Sequence, residues 1–227
     1  MLIYGDNYCK PMVLAYVKAV RGNPLAQSSA LESDLIQILV SLAKPLHLPV
    51  IEIRFDTTSI LRSVALSQLP ASLHMISLEN LAGVFASFGL PIISGKVVKE
   101  INDASSSTYH DWQRLVLGNM ITVSDLDLIR MRSGISAEIV ELKRSYKAVE
   151  TWEPYEDDYP NFRLIWKVSS SAGLPLTILY NQRRKNPFFD DISRVSVFSL
   201  NFGRTGVPWT KLGILGFEQF VRGEYLT

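Results

Sequence analysis

The chain has 227 residues, of which 47% are hydrophobic and 20% charged, a composition typical of a globular protein with a buried core. Its 23 basic and 22 acidic residues nearly cancel, so net charge neither identifies nor excludes a nucleic-acid partner, for which a local basic surface matters. The single cysteine, Cys9, excludes an intrachain disulfide and favours a reducing compartment. We find no secretory signal and no run of ~18 apolar residues, so we expect a soluble, cytoplasmic protein with no membrane partner.

Residues 1–95 are predicted to form a mainly helical region that serves in recognition or oligomerisation. Helical spacing of apolar residues is the basis of this prediction, and Ser28 or Ser29 can act as an N-cap. The alternating segment VIEIRF is typical of a strand. The predicted elements are helices over 8–21, 28–44, 57–69 and 77–89 and a strand over 50–55.

Residues 96–227 are predicted to form a second region, in which strands predominate. Two apolar runs, 120–131 and 135–145, flank a Ser-Gly turn and indicate a pair of strands. The other predicted elements are a helix over 107–118, a helix from Asp157 or Asp158 to Gly173, strands over 174–182 and 194–202, and a helix over 216–226. A β-β-α-β-β order after a helical start predicts the α/β class, as an α/β sandwich with a mixed central sheet.

Charged residues interrupt both runs of the predicted strand pair. Because side chains alternate along a strand, Asp125 and Asp127 share one face of the first strand. Glu141 and Lys143 share one face of the second. In a suitable register Asp127 and Glu141 converge beside Lys143, and buried carboxylates are costly without a compensating cation. Mg²⁺ prefers carboxylate oxygens, so we predict a magnesium site to which the Leu142 carbonyl adds a ligand. Lys143 would orient or deprotonate the attacking water, or stabilise a phosphate.

Asp127 followed by the tripeptide 141–143, Glu-Leu-Lys, resembles the signature of the PD-(D/E)XK nuclease superfamily. The resemblance spans about residues 107–202 and implies a restriction-endonuclease-like fold and Mg²⁺-dependent hydrolysis of DNA, with Mn²⁺ able to substitute. By position, the two acids would be metal ligands and the lysine would be catalytic. The chain departs from the signature because Leu126, not proline, precedes the first acid, and Asp125 remains an alternative ligand.

The same resemblance implies two further site residues. Many family members place a glutamate on a helix before the first motif strand, for which Glu32 is the candidate metal ligand and Glu79 and Glu100 are alternatives. Some relatives carry a polar residue at the end of the strand that follows the motif. Gln182, or Asn181, occupies this position and would be an additional catalytic residue.

Basic residues near the signature are candidates for contacts with nucleic-acid phosphates. They are Arg144, Lys147, Arg163, Lys167, Arg183, Arg184 and Lys185, and the last three form the densest basic cluster in the chain. Asp190 and Asp191 follow this cluster and can neutralise it. Trp152 and Tyr155 can stack on bases, although a packed loop is the favoured interpretation for both.

We therefore expect a Mg²⁺-dependent endonuclease acting on DNA, of the restriction or DNA-processing type. A homodimer is expected, because duplex cleavage by one active site per chain usually requires two chains. The alternatives are an RNA endonuclease with the same metal site, and a nucleic-acid-binding or assembly protein that keeps the fold without cleaving. If there is no metal site, the two strands would form a surface hairpin in which Glu141 and Lys143 face solvent and form a weak ion pair. The chain has no Gly-rich phosphate loop, so no nucleotide cofactor is expected.

Overall fold

A computed structural model of the protein describes residues 1–93, 107–132 and 135–225. The chain forms two compact units, Met1–Asp125 and Leu126–Thr227, which divide later than the predicted boundary after residue 95. Each unit contains helices and one mixed sheet, which confirms the α/β class. None of the helices in the described ranges has the length and apolar character needed to cross a membrane.

The N-terminal unit is built on a six-stranded sheet with the strand order β5-β4-β3-β2-β1-β6. Its strands are β1 (Leu2–Asp6), β2 (Pro11–Val20), β3 (Val50–Asp56), β4 (Ser63–Gln68), β5 (His74–Ser77) and β6 (Ile121–Asp125). Its helices are α1 (Ala30–Ala43), α2 (Leu78–Ser87) and α3 (Thr108–Val116). Strands β2 and β3 pair in parallel, and the other neighbouring strands of the sheet are antiparallel.

The mainly helical character predicted for residues 1–95 is wrong. Strand β2 replaces the helix predicted over 8–21, and β4 replaces the helix predicted over 57–69. Successive residues Val13, Leu14 and Ala15 of β2 are all fully buried, so both faces of the strand are covered. A strand buried on both faces has a continuous apolar run without a two-residue period, and its sequence therefore resembles a buried helix.

Four elements of the N-terminal unit agree with the sequence pattern, namely α1, β3, α2 and α3. Helix α1 begins after Ser29, which forms a reciprocal capping box with Glu32. The apolar core joins the sheet to α2 and α3: Tyr4 packs on Phe85 at 4.6 Å between ring centroids, and Phe55 stacks on Tyr109 at 5.5 Å. The packing of aromatic rings thus fixes both helices to the sheet.

The C-terminal unit contains a five-stranded sheet with the order β11-β10-β9-β8-β7. Its strands are β7 (Leu128–Arg132), β8 (Ile135–Ser145), β9 (Leu176–Arg184), β10 (Phe189–Leu200) and β11 (Trp209–Leu215), and its helices are α4 (Tyr159–Ser171) and α5 (Phe217–Arg222). Strands β8 and β9 are parallel and are connected by α4, whereas the other neighbouring pairs are antiparallel. The predicted β-β-α-β-β order is confirmed, and β11 is an additional strand.

The first strand of the predicted pair, 120–131, is divided between the two sheets. Strand β6 ends at Asp125, which lies opposite Leu2 of β1 in the N-terminal sheet. Strand β7 begins at Leu128 in the C-terminal sheet. Asp125 and Asp127 therefore do not share a strand face, which corrects the prediction. The alternation of side chains reflects only local preferences. It therefore does not show that the chain passes from the N-terminal sheet to the C-terminal sheet between Asp125 and Leu128. The predicted turn at 133–134 lies outside the described residues.

Helices α4 and α5 cover opposite faces of the C-terminal sheet. The Lys143 side chain of β8 contacts Phe162 of α4, whereas Val140 of β8 packs in a cluster with Phe220 of α5. Side chains an odd number of residues apart point to opposite faces of a strand. The unit is therefore a three-layer α/β/α sandwich, and Lys143 lies on its α4 face.

Candidate active site

The ladder between β7 and β8 ends next to the two acids of the predicted site. Its last pair is Leu128 with Val140, so Asp127 and Glu141 are each the next residue along the chain beyond this pair. Oδ2 of Asp127 accepts a hydrogen bond from the backbone N–H of Leu142 at 2.8 Å. This bond fixes the Asp127 carboxylate at the edge of β8, where the ladder with β7 ends.

Lys143 lies between the buried acid of β8 and the beginning of α4. Its Nζ is 3.0 Å from Oε1 of Glu141 and 4.0 Å from Oδ2 of Asp158. The Glu141 side chain is 9% exposed, against 25% for Lys143. Nζ also lies 5.1 Å from the ring centroid of Phe162, a cation–π contact. The lysine is thus held in place but remains accessible from solvent.

The surrounding charges stabilise the ammonium form of Lys143. Burial lowers the pKa of Lys143, but attraction to Glu141 and Asp158, the hydrogen bond to Glu141 and attraction to Asp127 together outweigh burial and raise it. Three carboxylates therefore act on one ammonium group. By formal charge, three carboxylates against one ammonium favour the binding of a further cation.

Two carboxylates and one backbone oxygen are the groups that fit Mg²⁺. Within residues 1–93, 107–132 and 135–225, no three His, Cys, Asp or Glu side chains lie close enough together to hold a metal ion. The N–H of Ile139 donates to the carbonyl of Pro175, toward β9, so the N–H and C=O of Leu142 point to the other edge, toward Asp127. Asp127 thus lies at the edge of β8 toward which the Leu142 carbonyl also points. Mg²⁺ binds proteins through one or two carboxylates and keeps several waters, so the chemical types of these groups suit Mg²⁺, and their use as metal ligands stays a prediction.

Glu32, predicted as a further metal ligand, lies in the N-terminal unit and contributes to the structure there. Its carboxylate pairs with the ammonium of Lys18 and accepts the N–H of Ser29 at 2.8 Å. These two hydrogen bonds lower the pKa of Glu32 to about 2. The contacts account for a buried glutamate without a metal ion. Asp125 also belongs to the N-terminal unit, and Glu100 lies outside the described residues.

Gln182 lies on the same sheet face as Lys143. In the parallel pairing of β8 and β9, Lys143 is opposite Tyr180 and Ser145 is opposite Gln182. Nε2 of Gln182 donates to the carbonyl of Tyr146 at 3.3 Å. The glutamine therefore lies one same-face position beyond Lys143, toward the ends of the two strands, and its catalytic role stays a prediction.

Acidic partners engage three of the seven predicted phosphate-binding residues. Arg144 and Arg183 pair with Asp190 at 3.1 and 2.9 Å, and Arg184 pairs with Asp191 at 3.1 Å. The hydrogen bond from Arg183 is the largest cause that lowers the pKa of Asp190, and Arg144 adds to it. The predicted neutralisation by two aspartates is confirmed for Arg183 and Arg184 of the basic cluster.

Two of the other four basic residues lie against aromatic rings. Nζ of Lys185 is 4.6 Å from the ring centroid of Tyr146, and the guanidinium of Arg163 is 5.3 Å from that of Phe202. The remaining two are Lys147, exposed after β8, and Lys167, partly buried on α4.

Asp158 and Phe162 also belong to the candidate site, and neither was predicted there from the sequence. The sequence offered Asp157 or Asp158 as the cap of α4; Asp158 does occupy the residue before the helix, but its side chain makes no capping hydrogen bond. The carboxylate faces Lys143 instead. The signal for this role is the acidic segment 156–158, which lies between the motif strand and α4. Its proximity to Lys143 depends on how α4 packs on the sheet.

Trp152 does not bind bases, because it belongs to the core. The side chain is 1% exposed and stacks on Tyr180 with ring centroids 4.2 Å apart and planes 1° apart. Tyr155 contacts the edge of the same indole at 5.9 Å. The favoured interpretation of this segment as a packed loop is confirmed for Trp152.

A cavity of about 370 Å³ lies at the other end of the C-terminal sheet. Its lining includes Trp166 near the end of α4, Leu176 at the start of β9, and Asn201 and Arg204 after β10. None of its lining residues is acidic. The carboxylates and the lysine of the candidate site are therefore not part of this cavity.

Comparisons with known protein families, with curated proteins and with solved structures found no match to this chain.

Proposed function

We propose that this protein is a Mg²⁺-dependent endonuclease that hydrolyses phosphodiester bonds in DNA. One observation carries the proposal: Asp127 accepts the Leu142 N–H at the end of the β7–β8 ladder, and Lys143 Nζ lies 3.0 Å from the Glu141 carboxylate. The order β7-β8-α4-β9, with β8 and β9 parallel, agrees with the restriction-endonuclease-like core that the PD-(D/E)XK resemblance implies. Mn²⁺ is expected to substitute for Mg²⁺.

Each residue of the site has a distinct part in the proposed reaction. Asp127, Glu141 and the Leu142 carbonyl would hold the metal, which when bound supplies Lewis-acid polarisation of the phosphate and a more acidic water. Lys143 contributes a positive charge where negative charge develops on the phosphate. Its side chain is 25% exposed, so the ammonium can reach a phosphate at the surface. Gln182 would orient a phosphate oxygen or the attacking water.

A homodimer is part of the proposal. One such site hydrolyses one strand, so cleavage of both strands of a duplex requires two chains. Light scattering with duplex DNA and Mg²⁺ tests this part. A mass of one chain under conditions of double-strand cleavage would contradict it.

Cleavage of supercoiled plasmid DNA tests the proposal directly. We expect wild-type protein to nick or linearise the plasmid with Mg²⁺ or Mn²⁺ and not with EDTA. Lys143→Ala is expected to lose about 10²-fold or more in rate, the scale for removal of one charged or hydrogen-bonding group from an active site. Lys10→Ala, which removes an exposed lysine from the N-terminal unit, is the control and should cleave as wild type does.

Two outcomes would contradict the proposal. Absence of metal-dependent cleavage by wild-type protein, with the DNA still bound, would favour a nucleic-acid-binding protein. Cleavage by Lys143→Ala at the wild-type rate would place the active site elsewhere. Parallel reactions with single-stranded RNA decide the substrate, because cleavage of RNA alone would replace DNA in the proposal. A thermal unfolding curve of Lys143→Ala verifies that the variant folds.

A further inference from the structure

Strands β9 and β10 form a hairpin that extends beyond both neighbouring strands. The last paired residue of β8 is Ser145, opposite Gln182, and the last paired residue of β11 is Leu215, opposite Val195. Pairing between β9 and β10 continues beyond these points to Phe189, opposite Arg184. Residues 183–190 therefore project from the sheet, with the pairs Arg183–Asp190 and Arg184–Phe189 and a turn over 185–188, and residues 192–194 form a bulge at the base of this projection. Residues 183–194 are treated together as one segment. We refer to this segment as the β9–β10 ribbon.

The β9–β10 ribbon combines basic and exposed apolar side chains. Its sequence, RRKNPFFDDISR, has four basic and two acidic residues. In the turn, Phe188 is 67% exposed, and Phe189 beside it and Ile192 in the bulge are 45% and 49% exposed. The guanidinium of Arg183 lies 5.2 Å from the ring centroid of Phe188. Arg183 and Arg184 pair with Asp190 and Asp191, and Arg194 pairs with Glu150 outside the ribbon. The sequence of the ribbon keeps a formal excess of two positive charges, which favours an anionic partner, and grouped exposed apolar side chains are typical of binding surfaces.

The β9–β10 ribbon leaves the sheet at the end where the candidate site lies. Lys143 is opposite Tyr180, and Lys185 follows Tyr180 by five residues along the chain. At ~3.3 Å per residue, the tip therefore lies roughly 16 Å beyond Lys143 along the strand direction. This is about half of one turn of B-DNA. A duplex with one phosphate at Lys143 would thus have a groove within reach of the ribbon.

We propose that the β9–β10 ribbon enters the major groove of duplex DNA beside the cleaved phosphate, with Phe188 against base edges. The major groove of B-DNA admits a two-stranded β-ribbon, and apolar side chains there contact the thymine methyl group. Arg184 and Lys185 lie on the flanks of the tip and contact phosphates. This inference rests on the proposed nuclease function and names the element that positions its substrate.

The test measures DNA affinity in the absence of cleavage, because the contribution of the ribbon to binding is then independent of catalysis. Fluorescence anisotropy is measured in EDTA with a labelled duplex of roughly two helical turns, about 20 base pairs. Phe188→Ala is expected to weaken binding roughly tenfold and to leave the salt dependence unchanged. Lys185→Ala is expected to reduce the slope of log K against log salt by about 0.9. Ile60→Ala is the matched control, since Ile60 is 79% exposed in the N-terminal unit.

Competition with groove ligands decides where the β9–β10 ribbon binds. Methyl green, a major-groove ligand, should displace the protein, and the minor-groove ligand distamycin should not. Displacement by distamycin alone, or equal affinity of Phe188→Ala and wild type, would overturn the inference, as would failure of wild type to bind duplex DNA. Preferential binding to single-stranded RNA would overturn it as well. Phe188-dependent binding without metal-dependent cleavage would refute the nuclease proposal while the ribbon remained a DNA-binding element.

Discussion

Glu138 is the residue whose substitution tests our account of the β7–β8 pair most sharply. Its side chain is 0% exposed, and its carboxylate pairs with Nε of Arg130 at 3.0 Å. The hydroxyl groups of Thr177 and Tyr225 also donate to it. Arg130 lies directly opposite Glu138, and its guanidinium donates to the carbonyl of Phe220 at the end of α5 at 2.9 Å. This cluster joins β7 to β8 and fixes the register in which Leu128 lies opposite Val140.

Glu138→Gln keeps the shape of the side chain and removes its charge. The substitution leaves the Arg130 guanidinium, 16% exposed, without its buried counter-charge. Removal of one partner from a buried ion pair costs about 3–5 kcal/mol. Arg130 retains two carbonyl acceptors on α5, so we expect a loss near the lower end of this range, about 3 kcal/mol.

Urea denaturation of the full chain measures the loss. Tryptophan fluorescence is the appropriate signal, because Trp152, Trp166 and Trp209 lie in the C-terminal unit and Trp112 lies in the N-terminal unit. The transition of the C-terminal unit should move to lower urea. Glu218→Gln is the matched control, since Glu218 is 91% exposed and 3.9 Å from Arg222, and such surface pairs contribute about 0–1 kcal/mol. A loss below about 1 kcal/mol for Glu138→Gln, or equal effects of both variants, would refute the reasoning.

Three further predictions concern the site, the core and the pH dependence. Asp127→Asn keeps an oxygen that can accept the Leu142 N–H, so we expect thermal unfolding at the wild-type temperature. The rate of plasmid cleavage should fall by about 10²-fold or more. Cleavage at the wild-type rate would exclude Asp127 from the site. Trp152→Ala should cost about 3–5 kcal/mol in urea denaturation, since it removes a fully buried indole; a cost near zero would contradict its place in the core. Burial raises the pKa of Tyr109 above the value of about 10 in the unfolded chain. The contribution of Tyr109 to the free energy of unfolding is therefore complete below pH ~10 and decreases as the pH rises above that value. In urea denaturation at several pH values, Tyr109→Phe should reduce this loss of unfolding free energy. An equal loss in the variant and the wild type would contradict the prediction.

The agreement between sequence and structure is best where an element is half-buried and has defined ends. Helix α1 has an apolar stripe and a Ser29 cap, and both are visible in the sequence. Strand β2 has neither feature, because it is covered on both faces and its apolar run is continuous. Its identity depends on pairing with β1 and β3, and the latter is separated from it by α1.

Within the candidate site, the sequence by itself determined that Glu141 and Lys143 are neighbours. Residues two apart on a strand share a face because of the local geometry of the backbone. Tertiary structure alone decided the rest. The pairing of β7 with β8 brings Asp127 to the Leu142 N–H, the packing of α4 brings Asp158 to Lys143, and the pairing of β6 with β1 places Asp125 in the N-terminal sheet. These three relations depend on contacts between segments, whereas the sequence pattern records only the preferences of each segment.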